Sequence, residues 1–108
     1  MKQLTLTEAT NLLDEFVYAL DNAYWQASCM EHKDRIYNLI RLLTEEVIEL
    51  HKVSVQDGGY PYEPAGEDFT ELDAPLSWLK NNLDEVCKRS STHQEVAALI
   101  NQVSWLVK

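Results

Sequence analysis

Chain-breaking residues are scarce and confined. The 108 residues hold three glycines and three prolines, and all three glycines fall in one short stretch with Pro61 and Pro64. Long apolar runs are also missing. The apolar clusters are far too short for the roughly 20 residues a membrane-crossing helix needs. Lys2 is followed by mixed residues and not by an apolar run with a small-residue cleavage site, so no secretory signal is read. Cysteine is limited to Cys29 and Cys87, which form no CxxC pair; zinc-site and thioredoxin-like chemistry therefore has no support. Cys87 falls on an apolar helical stripe and reads as a small buried hydrophobe, whereas Cys29 sits near a helix junction and is expected to be more exposed. No GxxxxGK[ST], GxGxxG, HExxH or HxH pattern occurs; His32, His51 and His93 are scattered.

Positive charge is the remaining shortage. Nine Lys and Arg face eighteen Asp and Glu, for a net charge of −9. A phosphate backbone takes most of its protein affinity from Lys and Arg, so nucleic acid is excluded as a partner, and an anionic membrane surface with it. The charge suits a basic protein or a metal cation, or serves solubility alone. A hydrophobic fraction of 45% and a charged fraction of 25% are ordinary for a globular protein. The length fits one domain, 1–108, with a cytoplasmic location as the default expectation.

What the sequence does contain is helical periodicity. Thr5 and Glu8 have capping-box spacing, and Leu12, Phe16, Leu20 and Tyr24 then recur every fourth residue, with Leu13, Val17, Ala23 and Ala27 beside them. This predicts a first helix near 6–28. Ile36, Leu39, Ile40, Leu43, Val47 and Leu50 predict a second over 31–53, with Arg41 and Glu45 spaced to pair across one turn. Asp73 as a cap and Pro75 in the first turn open a third over 75–89, with Leu76, Leu79, Leu83 and Val86 as its stripe and Lys88 and Arg89 at its negative end. Thr92 and Glu95 repeat the capping-box spacing and open a fourth over 93–107, with Val96, Leu99, Ile100, Val103 and Val107 inward. Four one-faced helices bury their faces together most economically as an all-α, antiparallel four-helix bundle. The expected core is Leu13, Phe16, Leu20, Ile36, Leu39, Leu43, Leu79, Leu83, Val96, Ile100 and Val103, and Trp78 and Trp105 are placed to meet between the third and fourth helices.

Between the second and third helices, 54–74 shows no stripe and reads as a loop of about twenty residues, long for a compact domain. No Lys, Arg or His occurs between Lys52 and Lys80, while Asp57, Glu63, Glu67, Asp68, Glu71 and Asp73 all lie there. Tyr60, Tyr62 and Phe69 are interleaved with them. Tyrosine offers rigid contact area and carboxylates steer a basic partner in, so Asp57, Tyr60, Tyr62, Glu63, Glu67, Asp68, Phe69, Glu71 and Asp73 form a candidate partner-binding surface. The plainer alternative is that the loop aromatics fold back and cap the bundle. In composition, Tyr60-Pro61-Tyr62-Glu63 with Glu67-Asp68 is similar to the colicin-type nuclease immunity proteins, over about fifteen residues. That resemblance implies a small acidic cytoplasmic inhibitor that neutralises a basic toxin, with no cofactor.

A second candidate lies on the second helix. Glu46 and Glu49 are three residues apart and project from one face, and with Glu45 they suit a hard cation such as Mg²⁺. The segment 43–50 resembles the metal helix of the MazG-like all-α nucleoside triphosphate pyrophosphohydrolases, whose ExxE is matched by Glu46 and Glu49. The family's second motif, ExxD, is matched by Glu71 alone, because Ala74 stands at the Asp position. The resemblance implies a Mg²⁺ site on Glu45, Glu46, Glu49 and Glu71. The plain reading of the cluster is a solvent-facing acidic patch. A scaffold or oligomerisation module is the third expectation.

Overall fold

The structure is a computed structural model that describes residues 5–52, 72–87 and 90–107, the side chains of 90 and 105–107 excepted. The protein is all-α. Five helices, α1 (Leu6–Gln26), α2 (Met30–His51), α3 (Asp73–Asn81), α4 (Leu83–Val86) and α5 (Ser90–Val107), are present among the described residues, with no strand.

The start of α1 follows from its sequence. The Thr5 hydroxyl accepts from the Glu8 backbone N–H at 3.2 Å, and Glu8 Oε1 accepts from the Thr5 N–H at 3.0 Å. The reciprocal pair satisfies two of the backbone donors that a helix start leaves free. Three residues, 27–29, then turn the chain into α2, whose N-cap Cys29 makes no side-chain capping bond.

The third predicted helix is broken. Asn82 leaves helical geometry, and its Nδ2 donates to the Trp78 carbonyl at 2.7 Å while its backbone N–H bonds the Trp78 and Leu79 carbonyls. An Asn side chain that satisfies a carbonyl four residues back offers the backbone an exit from the helix. A single further turn, α4, ends at Cys87 in extended geometry. The expected run to Arg89 is thus replaced by two pieces, and Lys88 and Arg89 lie outside the described residues. Asp73, expected as the cap, is instead the first helical residue after Leu72.

The fourth predicted helix starts earlier than its spacing suggests. α5 begins at Ser90, so Thr92 sits inside the first turn and is no cap. Its hydroxyl is buried and accepts from Gln26 Nε2 at 2.8 Å. The bond ties the end of α1 to the beginning of α5. His93 Nε2 lies 3.0 Å from Asp84, joining α5 to α4.

α1 packs against both α2 and α5, and α3 packs against the same two helices from the other side. All eleven residues of the expected core are buried in one cluster, joined by Ala9, Ala19, Ala23, Leu42, Leu72, Leu76, Val86 and others. The alanines of α1 lie where the helix has neighbours on two sides, and small residues let those neighbours approach. None of the described helices is long and apolar enough to cross a membrane.

Candidate functional site

Of the acidic loop residues singled out by sequence, Asp57, Tyr60, Tyr62, Glu63, Glu67, Asp68, Phe69 and Glu71 lie outside the described residues. Asp73 is described and stands exposed at the start of α3.

The carboxylates of the ExxE helix face three ways. Glu45 is exposed and accepts from Arg41 Nη1 at 3.0 Å, the pairing that its spacing predicts. Glu49 is half-buried and pairs with Lys52 at 3.0 Å. Glu46 is only 1% exposed, among the core residues of α2. This corrects the reading of the cluster as a solvent-facing patch. Position 46 shares the inward face with Leu39, Leu42, Leu43 and Leu50, and helical period places it there whatever its polarity. Among the described residues no three carboxylates, imidazoles or thiols are grouped as a metal would need.

Trp78 contacts α2. The Arg35 guanidinium lies 4.9 Å from its ring centroid and the His32 ring 5.7 Å away, tilted by 59°. The expected contact with Trp105 involves a side chain outside the described set. Beside Trp78 opens a cavity of about 290 Å³, lined by Asp34, Arg35, Asn38, Ala74, Pro75 and Trp78. His32, beside the Trp78 ring, has Nε2 3.8 Å from Glu85 and Nδ1 buried without a hydrogen-bond partner among the described residues.

The most unusual surface is one that sequence reading passed over. Tyr18, Trp25, Met30, Tyr37 and Ile48 are all more than half exposed, and all belong to α1 or α2. Tyr18 and Trp25 are seven residues apart. Met30 and Tyr37 are likewise, and Ile48 follows eleven residues on. Each spacing is close to a whole number of turns, so each set forms a row on the outer side of its helix. The signal was present in the sequence as apolar residues off the core stripe at helical spacing, but single exposed hydrophobics are common and carry no alarm. Between the rows run Val17, Tyr24, Ile40 and Val47, partly buried against the core. Tyr24 and Trp25 meet edge to face at 5.2 Å, and Lys33 Nζ lies 4.6 Å and 5.3 Å from their two ring centroids.

Charge divides this surface. α1 contains Glu8, Asp14, Glu15 and Asp21 and no basic residue at all. Three of the acids of α2 are paired locally, Glu31 with Arg35, Glu45 with Arg41 and Glu49 with its C-cap Lys52, while Asp34 is exposed and Glu46 buried. Asp14, Glu15 and Asp21 are exposed and join no ion pair among the described residues. Both cysteines are free thiols, Cys29 exposed and Cys87 buried, as their positions in the sequence suggest. Burial pushes the Cys87 thiol up to about 11, which keeps it protonated and unreactive.

No family model, no curated protein and no solved structure matches this chain.

Proposed function

We propose that this chain is a protein-binding domain whose partner is basic. Its frame is a four-helix bundle with antiparallel neighbours, the third helix bent at Asn82 and an acidic segment linking α2 to α3. One observation carries the reading: the outer face of α1 and α2 exposes five large apolar side chains, and Asp14, Glu15 and Asp21 on α1 join no ion pair among the described residues. Contiguous exposed apolar surface in a small domain marks an interaction site more often than chance. Tyr and Trp are the side chains most enriched among binding hot spots. Unpaired acids beside them favour a cationic partner by steering its approach. The acidic segment between Lys52 and Lys80 adds charge of the same sign, with Tyr60 and Tyr62 within it. The sharper form of the proposal is a cytoplasmic immunity or inhibitor protein that covers the cationic surface of a toxin.

Affinity capture from the native host at low and at high salt, followed by cross-linking to locate the contact, tests the reading. The expected partner is a basic protein, released as salt rises, cross-linked to α1, α2 or the 53–71 segment. A partner that is acidic, or whose binding ignores salt, would overturn the proposal.

A further inference from the structure

On the outer side of α1, carboxylates and aromatic rings alternate. Asp14, Tyr18, Asp21 and Trp25 are separated by four, three and four residues. That spacing places all four on one stripe, opposite the buried face of Leu13, Phe16, Leu20 and Ala23. The stripe is about 17 Å long at the rise of an α-helix. Tyr18 is 69% and Trp25 72% exposed, while Asp14 and Asp21 are exposed and unpaired among the described residues. Within the monomer only Trp25 is engaged, edge to face with Tyr24 and 5.3 Å from Lys33 Nζ. The like charges repel weakly along the helix, and both rings keep most of their surface in water.

We infer that this stripe is a docking site for an arginine- or lysine-bearing helix of the basic partner, an inference that rests on the function proposed above. Each cation of such a helix would lie over a ring and beside a carboxylate at once. A guanidinium is suited to this, because it stacks through its plane while its edge donates to oxygen. The chain already makes contacts of this kind within itself. Arg35 lies over Trp78, and Lys33 lies over Tyr24 and approaches Trp25 from the α2 side. Lys33 is the cation that faces the stripe from the neighbouring helix. It occupies the Tyr24 side of Trp25 and makes no ion pair with Asp21. A helix is the occupant that fits, since the 4-3-4 spacing is the repeat that one helix presents to another lying alongside it. A second copy of this chain does not fit: α1 has no cation to offer, and the chain's net charge is −9.

The test uses the full chain, ¹⁵N-labelled, and two synthetic peptides of equal composition, about 18 residues long so that they span the stripe. One carries arginines at 4-3-4 spacing on a single helical face. The other distributes the same arginines around the helix. The expected result is that the matched peptide binds at least about fivefold tighter, and that the shifted amides lie within 14–25. Tyr18→Ala and Trp25→Ala, both surface changes, should each weaken it about tenfold, the scale of a hot-spot residue. Asp14→Asn with Asp21→Asn should flatten the salt dependence. Equal affinity for the two peptides, or no binding of either, would overturn the docking site. Shifts confined to 53–71 would also overturn it, while the proposed basic partner would stand on its own capture experiment. Self-association through α1, detected by sedimentation, would overturn the assignment of the occupant.

Discussion

Gln26 and Thr92 meet at 2.8 Å, an amide donating to a buried hydroxyl across 66 residues of sequence. The contact fixes the direction of α5, which starts where α1 stops and runs back along it. Thr92→Val keeps the shape of the side chain and removes the acceptor. The expected loss is about 1 kcal/mol, the net worth of an ordinary hydrogen bond, with Thr92→Ser losing less. Urea denaturation measures both. An unchanged midpoint in Thr92→Val would mean that the bond contributes nothing to holding α5 in place.

Phe16 is fully buried at the centre of α1, among neighbours on both flanking helices. Phe16→Ala is expected to cost about 3–5 kcal/mol, the range for a truncated core aromatic. Much of a small domain's stability lies in that range, so the variant should be partly unfolded at 37 °C by circular dichroism. A loss below about half a kcal/mol would place Phe16 outside the core.

His32 points the other way. Among the described residues its buried Nδ1 has no hydrogen-bond partner, and its Nε2 lies 3.8 Å from the exposed Glu85. A buried polar atom left unsatisfied costs about 1–3 kcal/mol. His32→Phe keeps a ring against Trp78 and removes that atom, so it is expected to raise the melting temperature. A fall of several degrees would show that the imidazole makes a polar interaction worth keeping.

Cys87 gives a pH prediction. Its folded value, about 11, lies above the ordinary value of 9.0 because burial disfavours the thiolate. The unfolded chain therefore loses the proton first. The stabilisation is present in full below about 9 and is lost as pH rises through 11, at most about 2–3 kcal/mol at roughly 1.4 kcal/mol per unit. Stability of the parent should fall more steeply between pH 9 and 11 than that of Cys87→Ala. In the same window a thiol reagent should label Cys29 at once and Cys87 at the rate of opening. Equal slopes for parent and variant would contradict the burial of the thiol.

The helices were legible wherever a local pattern alone decides the outcome. The capping box at Thr5 and the stripes of α1 and α2 depend on residues within a turn or two, and there sequence and structure agree. The failures lie where a distant residue or a side-chain bond intervenes. Thr92 has capping spacing, but Gln26 claims its hydroxyl from another helix. Asn82 sits mid-stripe, and only its bond to the Trp78 carbonyl reveals it as a break. Glu46 was read by its charge, when its register with Leu39, Leu43 and Leu50 settled its burial. The candidate surface on α1 is not signalled by any dense local pattern. Acid beside aromatic is dense in the 57–73 segment, which lies outside the described residues except for Leu72 and Asp73, and along α1 it is spread over three turns, where no short window shows it.

The order of synthesis bears on α1. It emerges first, finds α2 within a few residues, and then waits for α5, whose contact at Thr92 is made 66 residues after Gln26. At typical elongation rates the wait is roughly 3–13 seconds. Throughout it the flank of α1 that α5 will cover stays bare beside the ribosome, while its opposite side presents Tyr18 and Trp25. The nascent hairpin is thus greasy on two sides at once. Asp14, Glu15 and Asp21, which join no ion pair among the described residues, put like charge on every such hairpin, and like charge opposes the association of one with another.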